Sequence, residues 1–242
     1  TRRSSDLSIT GRKSDDAVRA RSRNCWGECE SRHSIDAQVD NADPGRWDEG
    51  ALPSQPWAIT TGVYSIASGR SGNGRQVLVV GTSFDSSCDS AGTTFTCTSS
   101  GSAQVYALGT PPWVGHGWTW TGALIPALVS TESRCGVSVA VTAGVVAVGC
   151  PGDSSSSTTL NSGRGVGGAS YSGPVDVWRL AQPNGTTAVL EGFLKAYRGF
   201  FGQWFGFSVA AAANGTHEVV AASAPDSGTG APYGNVSLPT GL

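Results

Sequence analysis

The sequence has no methionine, and Asp, Glu, Lys and Arg make up only 14% of its 242 residues. Long helices favour Leu, Glu, Lys and Ala, whereas this chain has 34 glycines, so its composition favours short strands joined by turns. The formal net charge of −2 provides no basic surface for nucleic acid or an anionic membrane. No apolar run approaches the roughly 18–20 residues of a membrane helix. The sequence therefore predicts an all-β protein with no nucleic-acid partner and no membrane span.

The charges are concentrated at the start of the chain. Residues 1–50 contain 19 of the 34 charged residues and show no sustained apolar period. We expect residues 1–56 to form a charged, irregular N-terminal extension and residues 57–242 to form the folded body.

Cysteines and glycosylation sequons both point to an oxidising compartment. Six cysteines are an even number, and three Asn-x-Ser/Thr triplets begin at Asn184, Asn214 and Asn235. No signal-peptide pattern is present, so we expect the chain to be a mature product or a piece of a longer protein. We predict a secreted or cell-surface glycoprotein.

The cysteines suggest three disulfides, although six cysteines allow 15 connectivities. If the turn of one hairpin is centred on residues 142–143, position 138 pairs with 147 and Cys135 lies opposite Cys150, at a separation that a disulfide tolerates. The remaining pairs would close a small loop and staple the N-terminal segment. They are Cys88 with Cys97 and Cys25 with Cys29.

The body contains one unit that recurs three times, marked by serines 73 and then 70 residues apart at Ser65, Ser138 and Ser208. Each unit has a small-residue strand, a polar turn, a Val-rich strand, a Gly- and Ser-rich loop and an alternating strand. The Val-rich runs predict strands buried on both faces, whereas alternation at residues 175–178 predicts a half-buried strand. A fourth apolar segment follows at residues 122–128 in the first unit and 187–190 in the second.

This unit resembles the FG-GAP repeat, the blade of the integrin α-chain β-propeller. The resemblance is best at Phe205-Gly206 with Ala224-Pro225 in the third unit. In the second unit it is carried by residues 136–140, 149–151 and 173–178. The first unit is degenerate, with Gly62-Val63 and Thr82-Ser83 at the two motif positions.

The resemblance implies a partial β-propeller of about three four-stranded FG-GAP-type blades over residues 57–242. Propellers need about four to eight blades to close, so further blades or a partner chain would complete the ring. The resemblance places Phe205 in the core. It also places a ligand face on the loops 83–100 and 153–172, where Asp85, Asp89 and Asp153 are candidate contacts.

The resemblance also raises the question of calcium, because integrin-type blades often carry an acidic loop in their first hairpin. Calcium takes six to eight oxygen ligands, several of them carboxylates. The corresponding turns here contain a single acidic residue, Glu218. We therefore expect no cofactor and no metal site.

Motifs for catalysis lack their required context. Residues 163–168 have the spacing of a dinucleotide-binding loop, but the sequence that follows starts no helix. His33, His116 and His217 lie far apart in polar or Gly-rich segments. Two aromatic segments, 113–120 and 200–207, either stack sugars or fill the space between blades. We predict no enzymatic activity.

Three functions are compatible with these features. The first is an extracellular or cell-surface adhesion module that binds a protein or a glycan through its loops. The second is a structural glycoprotein subunit of an extracellular assembly, such as a cell wall, a matrix or a flagellar-hair filament, since an open sheet edge is a template for another chain. The third is the non-catalytic propeller of a secreted hydrolase.

Overall fold

The structure is a computed structural model. It describes residues 4–10, 19–25, 38–39, 47–48, 63–72, 74–86, 97–108, 118–126, 130–155, 171–181, 187–196, 201–214, 217–225 and 235–239. For the first four of these segments and the last, it describes the backbone alone. Every regular element in these residues is a β-strand, and every paired strand is antiparallel. None of the described residues forms a helix that could cross a membrane.

Two short strand pairs lie in the part of the chain that we expected to be irregular. Strand β1 (Ser4–Thr10) pairs with β2 (Arg19–Cys25), and β3 (Gln38–Val39) pairs with β4 (Trp47–Asp48). In β1, Leu7 and Ile9 alternate with polar residues, which fits a strand but is too short to stand out as a period.

The body forms three sheets in which each strand pairs with its neighbour in the chain. The first sheet contains β5 (Ser65–Arg70), β6 (Gln76–Thr82), β7 (Ser102–Leu108) and β8 (Trp118–Leu124). The second contains β9 (Ser138–Thr142), β10 (Val145–Gly149), β11 (Val175–Ala181) and β12 (Thr187–Leu194). The third contains β13 (Val209–Ala213), β14 (His217–Ala222) and β15 (Asn235–Pro239). None of these sheets closes on itself.

The sequence repeat is also a structural repeat. Ser65 pairs with Gly81 in the first sheet, and Ser138 pairs with Gly149 at the same place in the second. Both sheets also shift register at one place, between Val105 and Tyr106 in the first and between the corresponding residues of β11 in the second. Because a bulge depends on local pairing, its recurrence shows that the two units fold alike in detail.

Apolar side chains pack between consecutive sheets. Valines of β6 and β10, among them Val79 and Val146, form one cluster between the first and second sheets. Val145, Phe205 and Val220 belong to a second cluster, between the second and third sheets. Strands β6 and β10 are buried on both faces, as their continuous apolar runs predict, except for Gln76 at the start of β6.

The prediction for the third strand was wrong in the first two units, where the structure describes its side chains. Asp176, which alternates with Val175 and Val177, is 0% exposed, and so is Gln104 at the equivalent position of the first sheet. Asp176 lies on the face of the second sheet that packs against the first, so it meets protein instead of water. Gln104 lies in the first sheet, where it donates to Ser102 Oγ at 3.0 Å and accepts from Trp120 Nε1 at 2.9 Å.

The predicted register of the second hairpin was also wrong, by two residues. Ser138 pairs with Gly149 and not with position 147, because the turn is formed by Ala143 and Gly144. Their φ angles are +43° and +88°, and a two-residue turn with two positive φ angles favours glycine at its second position. The Cys135–Cys150 disulfide is present all the same, and joins residues that flank the two strands.

The fourth strand of the first unit lies earlier than predicted. It spans Trp118–Leu124 and not residues 122–128. Trp118 and Trp120 pack on Leu78, Val80 and Tyr106, on the face of the first sheet opposite the second sheet. The two tryptophans alternate with Thr119 and Thr121, the period-two pattern of a half-buried strand, which the prediction overlooked.

The sheets meet in a repeated contact that we call the joint. In each joint the serine of one unit donates its hydroxyl to the carbonyl of the glycine that precedes the next sheet: Ser65 Oγ to Gly136 O at 2.9 Å, and Ser138 Oγ to Gly206 O at 2.7 Å. Both glycines have φ of +85°. A Cβ on Gly81 would lie 2.1 Å from Gly136 O, so the joint brings two backbones into contact.

An ion pair reinforces the second joint. Arg179 of β11 donates to Glu218 of β14 at 2.7 and 3.2 Å and also pairs with Glu191 of β12. These hydrogen bonds, the one to Glu218 above all, raise the pKa of the Arg179 guanidinium above its ordinary value. The pair therefore cross-links the second sheet to the third.

We predict that Gly136→Ala destabilises the protein far more than Gly74→Ala. Both glycines have positive φ, +85° and +81°, so both alanines incur the same backbone strain of about 1–2 kcal/mol. A Cβ at Gly136 would also lie 2.2 Å from Ser102 O, whereas nothing lies within 4 Å of one at Gly74. Urea unfolding should show an additional loss of about 1–3 kcal/mol for Gly136→Ala. Equal losses in the two variants would contradict this description of the joint.

Candidate functional site

One end of each sheet contains the start of its first strand, the end of its second and the start of its third. The register places the start of β5, the end of β6, the start of β7 and the end of β8 at the same end of the first sheet. The second sheet repeats this arrangement, and the start of β13 is at the same end of the third. Side chains from distant segments therefore converge at this end, which we call the loop face.

Six side chains on the loop face form a continuous row, which we call the aromatic row. Tyr64, Phe84, Arg134, Trp204, Tyr171 and Phe201 follow one another in it. The Arg134 guanidinium lies 5.9 Å from the centre of the Phe84 ring and 5.8 Å from that of Trp204. Tyr171 stacks on Trp204 with ring centres 4.9 Å apart. The row therefore crosses all three units without a break.

The joints hold the centre of the row. Arg134 and Trp204 occupy equivalent positions, two residues before Gly136 and Gly206, and both have left-handed φ angles, +53° and +54°. Their N–H groups donate to carbonyls of the preceding unit, Arg134 to Ser99 at 3.0 Å and Trp204 to Tyr171 at 2.8 Å. A non-glycine residue takes this conformation only where its surroundings impose it. The two side chains are thus fixed in place by backbone hydrogen bonds.

The ends of the row are open to solvent, and the row is close to electrically neutral. Phe201 is 76% exposed, Tyr64 57% and Phe84 43%. Its only cation, Arg134, is paired with Glu132 at 3.1 Å. Arg–aromatic and aromatic pairs each contribute about 0.5–1.5 kcal/mol, so the row is ordered before any ligand arrives. Exposed aromatic residues held in this way make the row a candidate binding surface.

The predicted acidic contacts have structural roles in the loops. The Asp85 carboxylate accepts a hydrogen bond from Ser102 Oγ at 2.6 Å. Asp153, at the equivalent position of the second unit, is 3% exposed, and its carboxylate accepts from the backbone N–H of Ser155 at 2.8 Å. Both carboxylates therefore shape their own loops. Asp89 lies outside the described residues.

The two aromatic segments divide between core and surface. Phe205 is 4% exposed in the cluster between the second and third sheets, as the resemblance implies. Phe201 and Trp204 of the same segment belong to the aromatic row, while Phe207 is 48% exposed. Trp118 and Trp120 pack within the first unit. Phe201 and Trp204 belong to an aromatic segment that could be recognised in the sequence. The other members of the row lie in separate segments and could not be recognised: Tyr64, Phe84, Arg134 and Tyr171.

The structure describes some of the remaining predicted cysteines, sequons and histidines and not others. Cys97 is disulfide-bonded, while Cys88 and Cys29 lie outside the described residues and Cys25 is described by its backbone alone. Asn214 is exposed at the turn between β13 and β14, where its Oδ1 accepts from the His217 N–H, a suitable place for a glycan. Asn184, His33, His116 and residues 163–168 lie outside the described residues, and Asn235 begins β15.

In the described part of the hairpin turns, the side chains do not provide the set of oxygen ligands that a calcium site requires. Glu218, the acidic residue at these turns, is committed to Arg179. Within the described residues, potential ligands of a metal ion cluster at Cys135, Cys150 and Asp176, and the two sulfurs there form a disulfide. A disulfide sulfur is not the thiolate that a metal requires.

Among the described residues, a buried polar cluster distinguishes the second unit from the first. The Lys195 ammonium donates to Ser155 O at 2.9 Å, Ser155 Oγ at 3.1 Å and Ser172 Oγ at 2.9 Å. Ser172 Oγ in turn donates to Ser155 O at 2.6 Å. Ile125 stands at the equivalent position of the first unit and is 8% exposed. This cluster could not be predicted from the sequence, because a single lysine after a strand is ordinary.

The geometry of this cluster fits a cross-link better than a nucleophile. A serine–lysine pair can act in catalysis when the lysine accepts the serine proton and a substrate reaches the hydroxyl. Here Lys195 donates to three oxygens, and Ser155 and Ser172 are 3% and 0% exposed. The lysine ties the loop that follows β10 to the end of β12.

Comparisons with known proteins do not add to this description. A scan against models of protein families matched none of them. A search of curated proteins found no match either.

We predict that Lys195→Met destabilises the protein by about 1–3 kcal/mol, because the buried hydroxyl oxygens of Ser155 and Ser172 lose the charged donor that they share. Ile125→Met is the matched control, since it changes an apolar residue at the equivalent position and should cost less than about 1.5 kcal/mol. Denaturant midpoints measure both. A Lys195→Met variant as stable as the parent would show that the cross-link has no role in stability.

Proposed function

We propose that this chain is a non-catalytic extracellular binding module and that the aromatic row is the surface through which it binds a protein partner. The row supports this proposal most directly, because it is exposed, ordered and continuous across three units. The Cys135–Cys150 disulfide and the exposed sequon at Asn214 support the extracellular location.

We further propose that the three sheets are blades of a partial β-propeller of the FG-GAP type. The matching registers, bulges and joints of the first two sheets support this, as does the chain order of the strands in each sheet. In such a module the loops at one end of the blades meet the ligand, and the aromatic row lies among those loops.

The composition and geometry of the row favour a protein over a glycan. Tyr, Trp and Arg are the residues most enriched at the energetic centres of protein interfaces. The exposed rings at both ends meet their neighbours edge to face, with interplanar angles of 69° and 79°, so they do not form one flat platform for sugar rings. Because the row carries little net charge, its partner presents an apolar or aromatic surface.

Binding to defined libraries tests this proposal. The chain is immobilised and exposed to a phage library of random peptides and, separately, to a glycan array. We expect it to select peptides with apolar or aromatic residues, and Phe84→Ser and Phe201→Ser should each weaken their binding about tenfold or more. Phe207→Ser is the matched control, because Phe207 is as exposed as Phe84 but stands outside the row, and it should change affinity less than about twofold.

Two outcomes would contradict the proposal. Peptides whose binding survives both substitutions would show that the row is not the contact surface. Binding to glycans alone, lost in the Phe84→Ser variant, would show that the row stacks on sugars and that the partner is not a protein.

A further inference from the structure

A buried acid lies against the disulfide of the second unit. A carboxylate oxygen of Asp176 is 3.9 Å from the Cys150 sulfur, and the two disulfide sulfurs and a carboxylate oxygen all lie within 4.8 Å of one another. Cys135, Cys150 and Asp176 are each 0% exposed. Because acidic side chains are seldom fully buried, the presence of one at this place needs an explanation.

The first unit shows that the fold does not need an acid at this position. Gln104 stands at the position of Asp176, and Thr82 stands at that of Cys150. Gln104 is also 0% exposed, and its neutral amide finds both a donor and an acceptor there. The carboxylate therefore occurs together with the cysteine, and the amide occurs with the threonine.

The second sheet brings the three groups together by itself. Cys150 directly follows β10, and Cys135 lies three residues before β9. Asp176 of β11 pairs with Val148 of β10, which places the carboxylate beside the residue that ends this strand and the cysteine after it. Both cysteines belong to the apolar cluster between the first and second sheets, so the first sheet covers a group that the second has assembled.

A carboxylate in this place has a chemical use while the disulfide forms. The nucleophile in thiol–disulfide exchange is the thiolate, whereas an ordinary cysteine, with a pKa of about 8.5, is mostly protonated at neutral pH. A base held within reach of the thiol takes this proton as the sulfur attacks and thereby accelerates the step.

We propose that Asp176 is the proton acceptor for formation of the Cys135–Cys150 disulfide. The oxidant is a small-molecule disulfide of the glutathione class, which first forms a mixed disulfide with Cys135. The Cys150 thiol then gives its proton to Asp176, and its sulfur attacks that of Cys135. The bond from Cys135 to glutathione breaks, and the protein disulfide forms. This inference does not depend on the function proposed for the aromatic row.

The atoms and electrons of the reaction balance. The two cysteine thiols lose two electrons and two protons. One molecule of oxidised glutathione takes up the electrons and leaves as two molecules of the thiol, which also carry away the two protons. Asp176 holds one of these protons in transit and is a carboxylate again at the end.

The charged side chains of the neighbouring described elements are engaged with other groups. Strands β6, β7, β9 and β10 contain none. Arg179 and Glu191, on β11 and β12, pair with each other, and Arg179 reaches from there to the third sheet. The charged groups of the loops on this side have partners of their own: Asp85, Glu132, Arg134, Asp153 and Lys195. The pH dependence of the reaction therefore reports on Asp176 and the two thiols.

Oxidative refolding tests the proposal. The reduced, unfolded full chain is diluted into a glutathione redox buffer, samples are quenched with N-ethylmaleimide, and mass spectrometry follows the linked peptides that contain Cys135 and Cys150. We expect Asp176→Asn to slow formation of this disulfide about tenfold or more at neutral pH. At about pH 9 the thiol loses its proton unaided, so the rates of parent and variant should agree within about twofold.

Two further variants make the result specific. Asp176→Glu keeps a carboxylate at the site and should restore the neutral-pH rate to within about threefold of the parent. Asp153→Asn is the matched control, because Asp153 is another buried acid of the same unit, but its carboxylate accepts from the Ser155 N–H and does not belong to the group around the sulfurs. Any effect of this control should be the same at both pH values.

Three results would overturn the proposal. Equal rates for the parent and Asp176→Asn at neutral pH would show that the carboxylate takes no part in the reaction. A loss of rate that is the same at both pH values and that Asp176→Glu does not restore would show that Asp176 acts only through the fold. The same pH-dependent loss in Asp153→Asn would assign the effect to the charge of the unit and not to the contact with sulfur.

Discussion

The whole arrangement depends on a glycine that precedes a sheet and brings its backbone against the sheet before it. Gly136 and Gly206 share the same positive φ, and each offers its carbonyl to a serine of the preceding unit. A side chain at either glycine would collide with backbone or core atoms of that unit. Because this contact is made by backbone and not by large side chains, it can recur while the surrounding sequence changes. The apolar clusters, the Arg179–Glu218 pair and the disulfide all reinforce an arrangement that the joint defines.

The same contact explains how a chain of low charge builds an ordered surface. The residues just before each glycine are held in left-handed conformations by hydrogen bonds to the preceding unit, and these residues are Arg134 and Trp204. Strain at the joint thus fixes the two side chains around which the aromatic row is assembled. If the row binds a partner, as we propose, it loses little conformational freedom on binding, which favours affinity.

Much of the fold could be predicted from the sequence, and the errors have physical causes. The repeat and the buried Val-rich strands follow from local patterns that a sheet imposes directly. The burial of Phe205 was implied by the resemblance, and the Cys135–Cys150 pair was expected on a hairpin register that was wrong by two residues. The hairpin register was missed because it depends on which two residues take positive φ, and the buried Asp176 because alternation cannot tell water from a second sheet. Trp118 and Trp120 were left outside their strand because the prediction followed the apolar run at residues 122–128 and not the alternation of Trp and Thr before it. Most of the aromatic row could not be predicted from the sequence, because its members come close together only when the three units pack.

Amide hydrogen exchange at the joints tests the central claim most directly. The N–H groups of Arg134 and Trp204 lie outside the strands, yet they donate across the joint to Ser99 and Tyr171. The account predicts that both exchange slowly, at rates comparable with that of Val146 in the centre of β10, because they open only when the sheets separate. Exchange of either amide as fast as that of Ala143 in the exposed hairpin turn would contradict it, since the joint would then not hold the sheets together.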